Sequence, residues 1–321
     1  MTFSVTILGS NSALPTTKRY PTAQVLNVSE RFFLIDCGEG TQLQLRKNKI
    51  KFSRINNIFI SHLHGDHVFG LIGLISTFGL LGRTNDLHIH AHSDLEKILQ
   101  PQIDYFCNEL KFTPVFHHLN TKEPEQIFED NNITVTSFPL KHRVPTCGFL
   151  FKEKQKEPNI KKEAIAKYDL SISEIVRIKK GEPLYEDGKL IPPEELIIPP
   201  PAPRSYAFCS DTGYNPKMIP VIKSVDLLYH EATFAEEHAG LAKKTTHSTA
   251  KQAAAIAREA NAKKLLLGHF SSRYDDLSIL KKEAKEIFPE TYIVNDGEVW
   301  DVGMRDVGID DVRCEDRRWK M

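Results

Sequence analysis

Five cysteines are too few and too scattered for a disulfide frame: Cys37, Cys107, Cys147, Cys209 and Cys314 are odd in number and show no Cys-x-x-Cys spacing. Free thiols in a reducing cytoplasm fit them better. Net charge is missing as well. Lys+Arg and Asp+Glu both total 42, so no global basic field attracts a polyanion, and any nucleic-acid contact has to be a local patch. No apolar run spans a bilayer; the longest, Val68 to Leu81, contains Gly, Ser and Thr and reads as a buried helix. The opening residues, Met1-Thr2-Phe3-Ser4-Val5-Thr6, lack the basic flank and cleavage signature of a secretory signal. No short-period repeat is visible. What remains, 40% hydrophobic and 26% charged residues in 321, suits a soluble globule of one or two α/β domains.

Chemistry concentrates in Ser61-His62-Leu63-His64-Gly65-Asp66-His67, directly after the strand-like run Ile58-Phe59-Ile60. On a strand end, side chains two apart point the same way, so His62 and His64 can grip one ion. Past Gly65 the chain can turn into a helix that aims Asp66 and His67 at a second. Imidazole and carboxylate suit zinc, with manganese or iron as rivals. A polar loop with incidental histidines is the competing reading, and it is disfavoured because a buried carboxylate among imidazoles is costly without a cation.

Other strands end in similar residues. Phe3 to Leu8 opens the chain, Val25 to Val28 and Arg31 to Ile35 read as a hairpin, and Asp36-Cys37-Gly38-Glu39-Gly40-Thr41-Gln42 follows. Its glycines predict close backbone approach, and Asp36 can orient a metal-bound histidine from behind. Ile133 to Phe138 leads to His142, Tyr206 to Cys209 leads to Asp211, Leu227 to Tyr229 leads to His230-Glu231-Ala232-Thr233, and Lys264 to Gly268 leads to His269. Thr246-His247-Ser248-Thr249 precedes an alanine-rich helix, Ala250 to Ala260, capped by Ser248 or a neighbour. Such strand ends make a catalytic face. By contrast His88, His90, His92, His117, His118 and His238 read as structural. From Lys152 to Leu190 the chain carries ten basic and eight acidic residues, then a proline-rich, extended stretch from Pro192 to Pro203, together an inserted arm.

In this order, His62-x-His64-x-Asp66-His67, His142, Asp211 and His269 resemble the ligand set of the metallo-β-lactamase fold, a four-layer αββα sandwich with two metals at one edge. Narrower markers, Asp36 to Gln42, His230 to Thr233, Thr246 to Thr249 and His269-Phe270-Ser271-x-Arg273-Tyr274, resemble the ribonuclease Z (tRNase Z) family, endonucleases that remove 3′ trailers from precursor tRNA. The likeness runs from Phe3 to about Val302. It implies a catalytic domain over 1–303, an inserted arm over 152–203 that binds the tRNA elbow and holds Gly181-Glu182-Pro183, a charged tail over 304–321, and the homodimeric short form. The family's Pro-x-Lys-x-Arg-Asn loop is here Pro15-Thr16-Thr17-Lys18-Arg19-Tyr20, with the lysine moved by one place and tyrosine for asparagine.

Carried over residue by residue, the likeness implies two Zn2+ per chain, with Mn2+ or Fe2+ as substitutes. His62, His64 and His142 would hold one, Asp66, His67 and His269 the other, and Asp211 would bridge them. A shared hydroxide would attack the phosphodiester 3′ of the discriminator base, with Asp66 positioning it and accepting its proton. His247, held by Glu231, would protonate the leaving 3′ oxygen, giving tRNA with a 3′ hydroxyl and a trailer with a 5′ phosphate. Lys18, Arg19, Arg273 and the arm's Lys161, Lys162, Lys179 and Lys180 would track RNA phosphates. The residues alone reach a dinuclear metallohydrolase; a small-phosphodiester hydrolase and a non-catalytic RNA-binding protein are the other readings.

Overall fold

The computed structural model describes residues 2–303 apart from Asn108; the tail expected at 304–321, with Cys314, lies outside the described residues. Two seven-stranded sheets face each other. The first joins β1 (Phe3–Gly9), β2 (Ala23–Val28), β3 (Arg31–Ile35), β4 (Ile55–Phe59), β5 (Leu87–Ala91), β6 (Pro114–His118) and the late β18 (Val299–Asp301), in the order β18-β1-β2-β3-β4-β5-β6. The second runs β17-β16-β15-β14-β9-β8-β7, from β7 (Glu125–Glu129), β8 (Ile133–Pro139), β9 (Cys147–Glu153), β14 (Ser205–Cys209), β15 (Leu227–Glu231), β16 (Lys264–Gly268) and β17 (Thr291–Ile293).

Period-2 alternation sorts the side chains into layers. Phe3, Val5 and Ile7 of β1, Phe33 and Ile35 of β3, and Phe59 of β4 point between the sheets, against Val135, Phe149, Phe151, Phe208 and their neighbours. Leu8, Leu34, Ile58 and Ile60 point outward, under α1 (Thr41–Lys47), α3 (Leu71–Leu80) and α4 (Asp94–Phe106). On the far side α9 (Ala250–Glu259) and α10 (Ser278–Lys285) cover the second sheet, α9 with its small face of Ala250, Ala253, Ala254 and Ala257. These are the four layers, αββα. The helix α9 starts with a capping box between Thr249 and Gln252, so the cap is Ser248's neighbour. The run from Val68 to Leu81 is only half buried: Leu71, Leu74, Ile75 and Phe78 pack inward, while Phe69 and Leu80 are 70% and 86% exposed. Its period of apolar residues is wider than one helix face, so part of it must look outward. Among the described residues no helix is long and apolar enough to cross a membrane.

Between β9 and β14 the chain leaves the sandwich and builds a small layer of its own. It contains β10 (Asn159–Ile160), α5 (Lys162–Lys167), α6 (Ile172–Lys179), a hairpin of β11 (Leu184–Glu186) and β12 (Lys189–Ile191), α7 (Pro193–Leu196) and β13 (Ile197–Ile198). Ala164, Leu170, Ile178 and Leu196 form its separate core. The hairpin turns on Asp187 and Gly188, both with positive φ, the conformation that Asp-Gly favours in a two-residue turn. The proline-rich stretch is not wholly extended: Pro193 at the first position and Glu194 and Glu195 in the first turn nucleate α7. At the neck, both Glu153 oxygens accept from Arg204, at 2.9 Å from Nε and 2.7 Å from Nη2.

Phe59 is fully buried where the rings of Phe33, Phe149, Phe151, Phe128 and His90 meet, with centroids 4.5 to 6.4 Å away. Phe59→Ala is expected to cost about 3–5 kcal/mol, read as a lower urea midpoint at unchanged m-value.

Candidate metal centre

Parallel pairing of β3 with β4 and of β14, β15 and β16 with one another brings several strand ends to one edge of the sandwich. Asp36 follows β3, His62 and His64 follow β4, His142 follows β8, Asp211 follows β14, Glu231 ends β15 and His269 follows β16. The short helix α2 (Gly65–Val68) contributes Asp66 and His67. Two glycines make this convergence possible. A Cβ at Gly38 would stand 2.5 Å from the Asp66 carbonyl, and one at Gly40, where φ is +82°, would strike the Tyr20 ring.

The donor atoms fall into two sets that share Asp211. His64 Nδ1 lies 3.0 Å from His62 Nε2 and 3.3 Å from His142 Nε2, and Asp211 Oδ2 lies 3.6 and 3.8 Å from those two Nε2 atoms. The other carboxylate oxygen, Oδ1, is 3.0 Å from His269 Nε2 and 3.4 Å from His67 Nε2, each of which is 3.5 or 3.4 Å from Asp66 Oδ2. Ligands about 2.0–2.1 Å from a tetrahedral zinc are about 3.4 Å apart, so both sets have the spacing an ion requires. His67 Nε2, His269 Nε2 and Asp211 Oδ1 are buried without any hydrogen-bond partner. Buried polar atoms are costly to leave unpaired, and a cation at each centre removes that cost. The residues present therefore fit a pair of metal ions.

The tautomers follow from what holds each ring. His67 donates its Nδ1 proton to Asp36 Oδ2 at 2.7 Å, His142 donates to the Thr246 carbonyl at 2.9 Å, and His269 donates to Thr233 Oγ1 at 2.9 Å. Each is left with a bare Nε2 facing its set. Asp36 is itself fixed, accepting from the Ser61 amide at 2.7 Å with Ser61 Oγ at 2.9 Å. Burial works against the charge on Asp66, but His67 and His269 outweigh it and hold its carboxyl well below the usual carboxylate range. Burial pushes the His62 imidazole well below its ordinary value. Neutral rings and ionised carboxylates are the forms that bind metal. The thiol of Cys37, by contrast, is pushed up to about 12 by burial and is inert.

His247 stands beside the centre with a different partner. Its Nδ1 donates to Glu231 Oε1 at 2.8 Å, and Glu231 is fixed by the Thr212 amide at 2.9 Å and the Thr233 hydroxyl at 2.6 Å. Donor atoms of Asp211, His247 and His269 also lie within 4.8 Å of one another. The bond to Glu231, however, gives His247 a carboxylate partner of its own that belongs to neither donor set. Burial alone would lower this imidazole, but the Glu231 carboxylate outweighs it and raises the pKa to about 9.

A cavity of about 470 Å³ opens over the centre, lined by Asp66, His247 and His269 and also by Arg143 and Arg273. Arg273 rests over the Phe234 ring and donates from Nε to Ser271 Oγ at 3.0 Å. Lys18 pairs with Asp275 at 3.6 Å, and Arg19 lies over Phe270. Lys161, Lys162, Lys179 and Lys180 sit in the arm and do not line this cavity. Sequence reasoning missed Arg143, although a cation directly after His142 was a usable signal. It also missed the Ala13 amide, which donates to Asp66 Oδ2 at 2.8 Å, and no sequence signal marks it. A larger cavity of about 810 Å³, lined by His88, His90 and His117, lies away from the centre; His88 and His117 bond to each other at 2.9 Å and His90 to Asn57.

A family model described as Anti-Pycsar protein Apyc1 matches residues 3–159, a stretch that carries the residues from His62 to His142 and stops before Asp211. A Ribonuclease Z from Phocaeicola vulgatus is 53% identical over 295 residues, covering 92% of this chain and 96% of its own. Human tRNase Z, short form, superposes with a TM-score of 0.70 at 28% identity, over 94% of this chain and 100% of that one. A metallo-β-lactamase fold protein from Bacillus subtilis shares the fold with a TM-score of 0.66 at 21% identity, over 94% of this chain and 100% of its own.

Asp36→Asn keeps the shape of the side chain but removes the charge that fixes His67. Metal affinity is expected to fall by about 10- to 100-fold with folding intact, measured by competition against a chromogenic chelator.

Proposed function

From a chain that belongs to the ribonuclease Z family of metallo-β-lactamase fold proteins, we infer a tRNA 3′-processing endoribonuclease that cuts precursor tRNA on the 3′ side of the discriminator base. The observation that carries the mechanism is the division of Asp211 between two donor sets, with the Glu231–His247 pair beside them. His62, His64 and His142 would hold one zinc and Asp66, His67 and His269 the other, with Asp211 offering one oxygen to each set. Bound there, such ions supply Lewis-acid activation of water and offset the charge that builds on the phosphate.

The chain's own groups do the rest. Asp66, pinned by the Ala13 amide and open to the cavity, orients the attacking water and accepts its proton. His247 enters the reaction protonated and gives its proton to the departing 3′ oxygen, while Glu231 holds the ring and stabilises its cationic form. The products are tRNA ending in a 3′ hydroxyl and a trailer bearing a 5′ phosphate. The arm between β9 and β14 binds the tRNA elbow; exposed Lys162 and Lys180 and half-exposed Lys161 and Lys179 support that reading. Leu43, Phe69, Leu80 and Leu81, each more than half exposed on or at the ends of the helices over the first sheet, offer apolar surface of the kind that pairs subunits, and we assign the homodimer to that side. The buried thiols of Cys37, Cys147 and Cys209 suit a cytoplasmic enzyme.

The direct test is cleavage of a 3′-extended precursor tRNA by zinc-loaded protein with both new ends mapped, beside a variant in which residues 157–199 are replaced by a short linker. That deletion spares Glu153 and Arg204 at the neck. One cut beside the discriminator base, weakened on arm removal while a small phosphodiester is still hydrolysed, is expected. Intact tRNA with an active small ester would refute the RNA assignment. His247→Ala should keep its full metal content, measured by mass spectrometry, yet lose about 10²–10⁴ in turnover. Because an acid must be protonated to act, and Glu231 raises the His247 pKa to about 9, turnover should hold below that pH and fall above it. Glu231→Gln should move this limb to lower pH.

A further inference from the structure

Arg143 is a cation with a fixed backbone and an uncommitted head. The loop that carries it is tied on both sides: Leu140 N donates to the Thr146 carbonyl at 3.0 Å, Lys141 N to Thr212 Oγ1 at 3.1 Å, and Gly213 N to the Lys141 carbonyl at 2.8 Å. His142 next to it is locked onto Thr246. Arg143 lines the cavity with His64, Asp66 and His247. Among the described residues its guanidinium makes no ion pair or hydrogen bond. The other cations near the mouth are engaged: Arg273 with Ser271, Lys18 with Asp275.

The carboxylates within the site are engaged as well. Asp66 and Asp211 face the histidines of the two donor sets, and Glu231 is bonded to His247, Thr212 and Thr233. A guanidinium offers a rigid fork of donors that matches phosphate oxygens, and the anion this cavity lacks is the one it receives as substrate. We propose that Arg143 binds the non-bridging oxygens of the phosphodiester being cut, on the side where His247 meets the departing 3′ oxygen. The assignment rests on the phosphodiester-cleaving reading of the site given above. Arg143 is then a catalytic residue that grips the phosphate in ground and transition states, where a preorganised donor is worth roughly 10²-fold or more in rate.

The test uses zinc-loaded full-length protein, with Arg143→Ala and Arg143→Lys assayed on precursor tRNA and on bis(p-nitrophenyl) phosphate, and zinc content measured for each. The alanine variant should keep its zinc and lose roughly 10²-fold in kcat/KM on both substrates. The lysine variant, a point charge without the fork, should recover part of the loss, and added guanidinium chloride at millimolar levels should restore part of the alanine variant's rate on the small ester. Unchanged rates on both substrates, or a loss on tRNA alone, would overturn the proposal, because the contact would then lie elsewhere on the RNA. Zinc lost in step with activity would also overturn it, making Arg143 a prop for His142. If the wild type hydrolyses the ester but leaves tRNA whole, the tRNA reading fails by itself, and the ester comparison still decides the role of Arg143.

Discussion

The rest of the structure depends on a single buried carboxylate held among imidazoles. Asp211 is 2% exposed, and each of its oxygens faces a different group of ring nitrogens. Left without cations this arrangement sets bare lone pairs against one another in a medium of low dielectric, a cost that few folds sustain. With cations, the same geometry becomes attractive at every edge. The two sheets are thus coupled at their shared edge by electrostatics as well as by the phenylalanine core, since one sheet brings Asp36, His62, His64 and His67 and the other brings His142, Asp211 and His269.

Rigidity behind the donors is built from short polar links between strand ends. Asp36 takes a left-handed backbone, with φ of 55°, and this turn aims its carboxylate at His67 and at the Ser61 amide. Ser61 Oγ in turn lies 2.9 Å from Ser210 Oγ, which ties the first sheet to the residue before Asp211. Thr246, also left-handed with φ of 60°, closes the helix α8 (Ala239–Thr245) and presents its carbonyl to His142. Positive φ costs of order 1 kcal/mol or more for such residues. These positions hold because the hydrogen bonds around them over-determine the backbone.

The division of labour proposed for the sandwich and the arm follows from the same logic. Chemistry needs donors placed to a few tenths of an ångström, so it sits on strand ends backed by a continuous core. Recognition of a large, charged partner, the role proposed for the arm, needs reach, and the arm has its own small core of Ala164, Leu170, Ile178 and Leu196, separate from the two large ones. Its cations are interleaved with acids, as in the Arg177–Glu182 and Lys167–Glu195 pairs, so any RNA contact there is made by the residual charge of individual lysines and not by a basic field.

Much of this was legible in the sequence. Apolar, β-branched runs placed the strands β1, β3 and β8, because strand character is a local property of the chain, while which face looks inward was left to the packing of the two sheets. Three histidines and an aspartate within six residues announced a metal site, because neighbours on one strand end and one helix turn must converge whatever the rest of the chain does. Other matters belonged to tertiary structure alone. His142, Asp211 and His269 are spread over more than a hundred residues, and only the pairing of β8, β9, β14, β15 and β16 sets them within 4 Å of the first cluster. The amide of Ala13 on Asp66 and the carbonyl of Thr246 on His142 are backbone contacts that no side-chain pattern in a sequence displays. Residue type states which chemistry is affordable, but which lone pair faces which proton is decided by packing, where distance is set by the whole fold and not by neighbours in the chain.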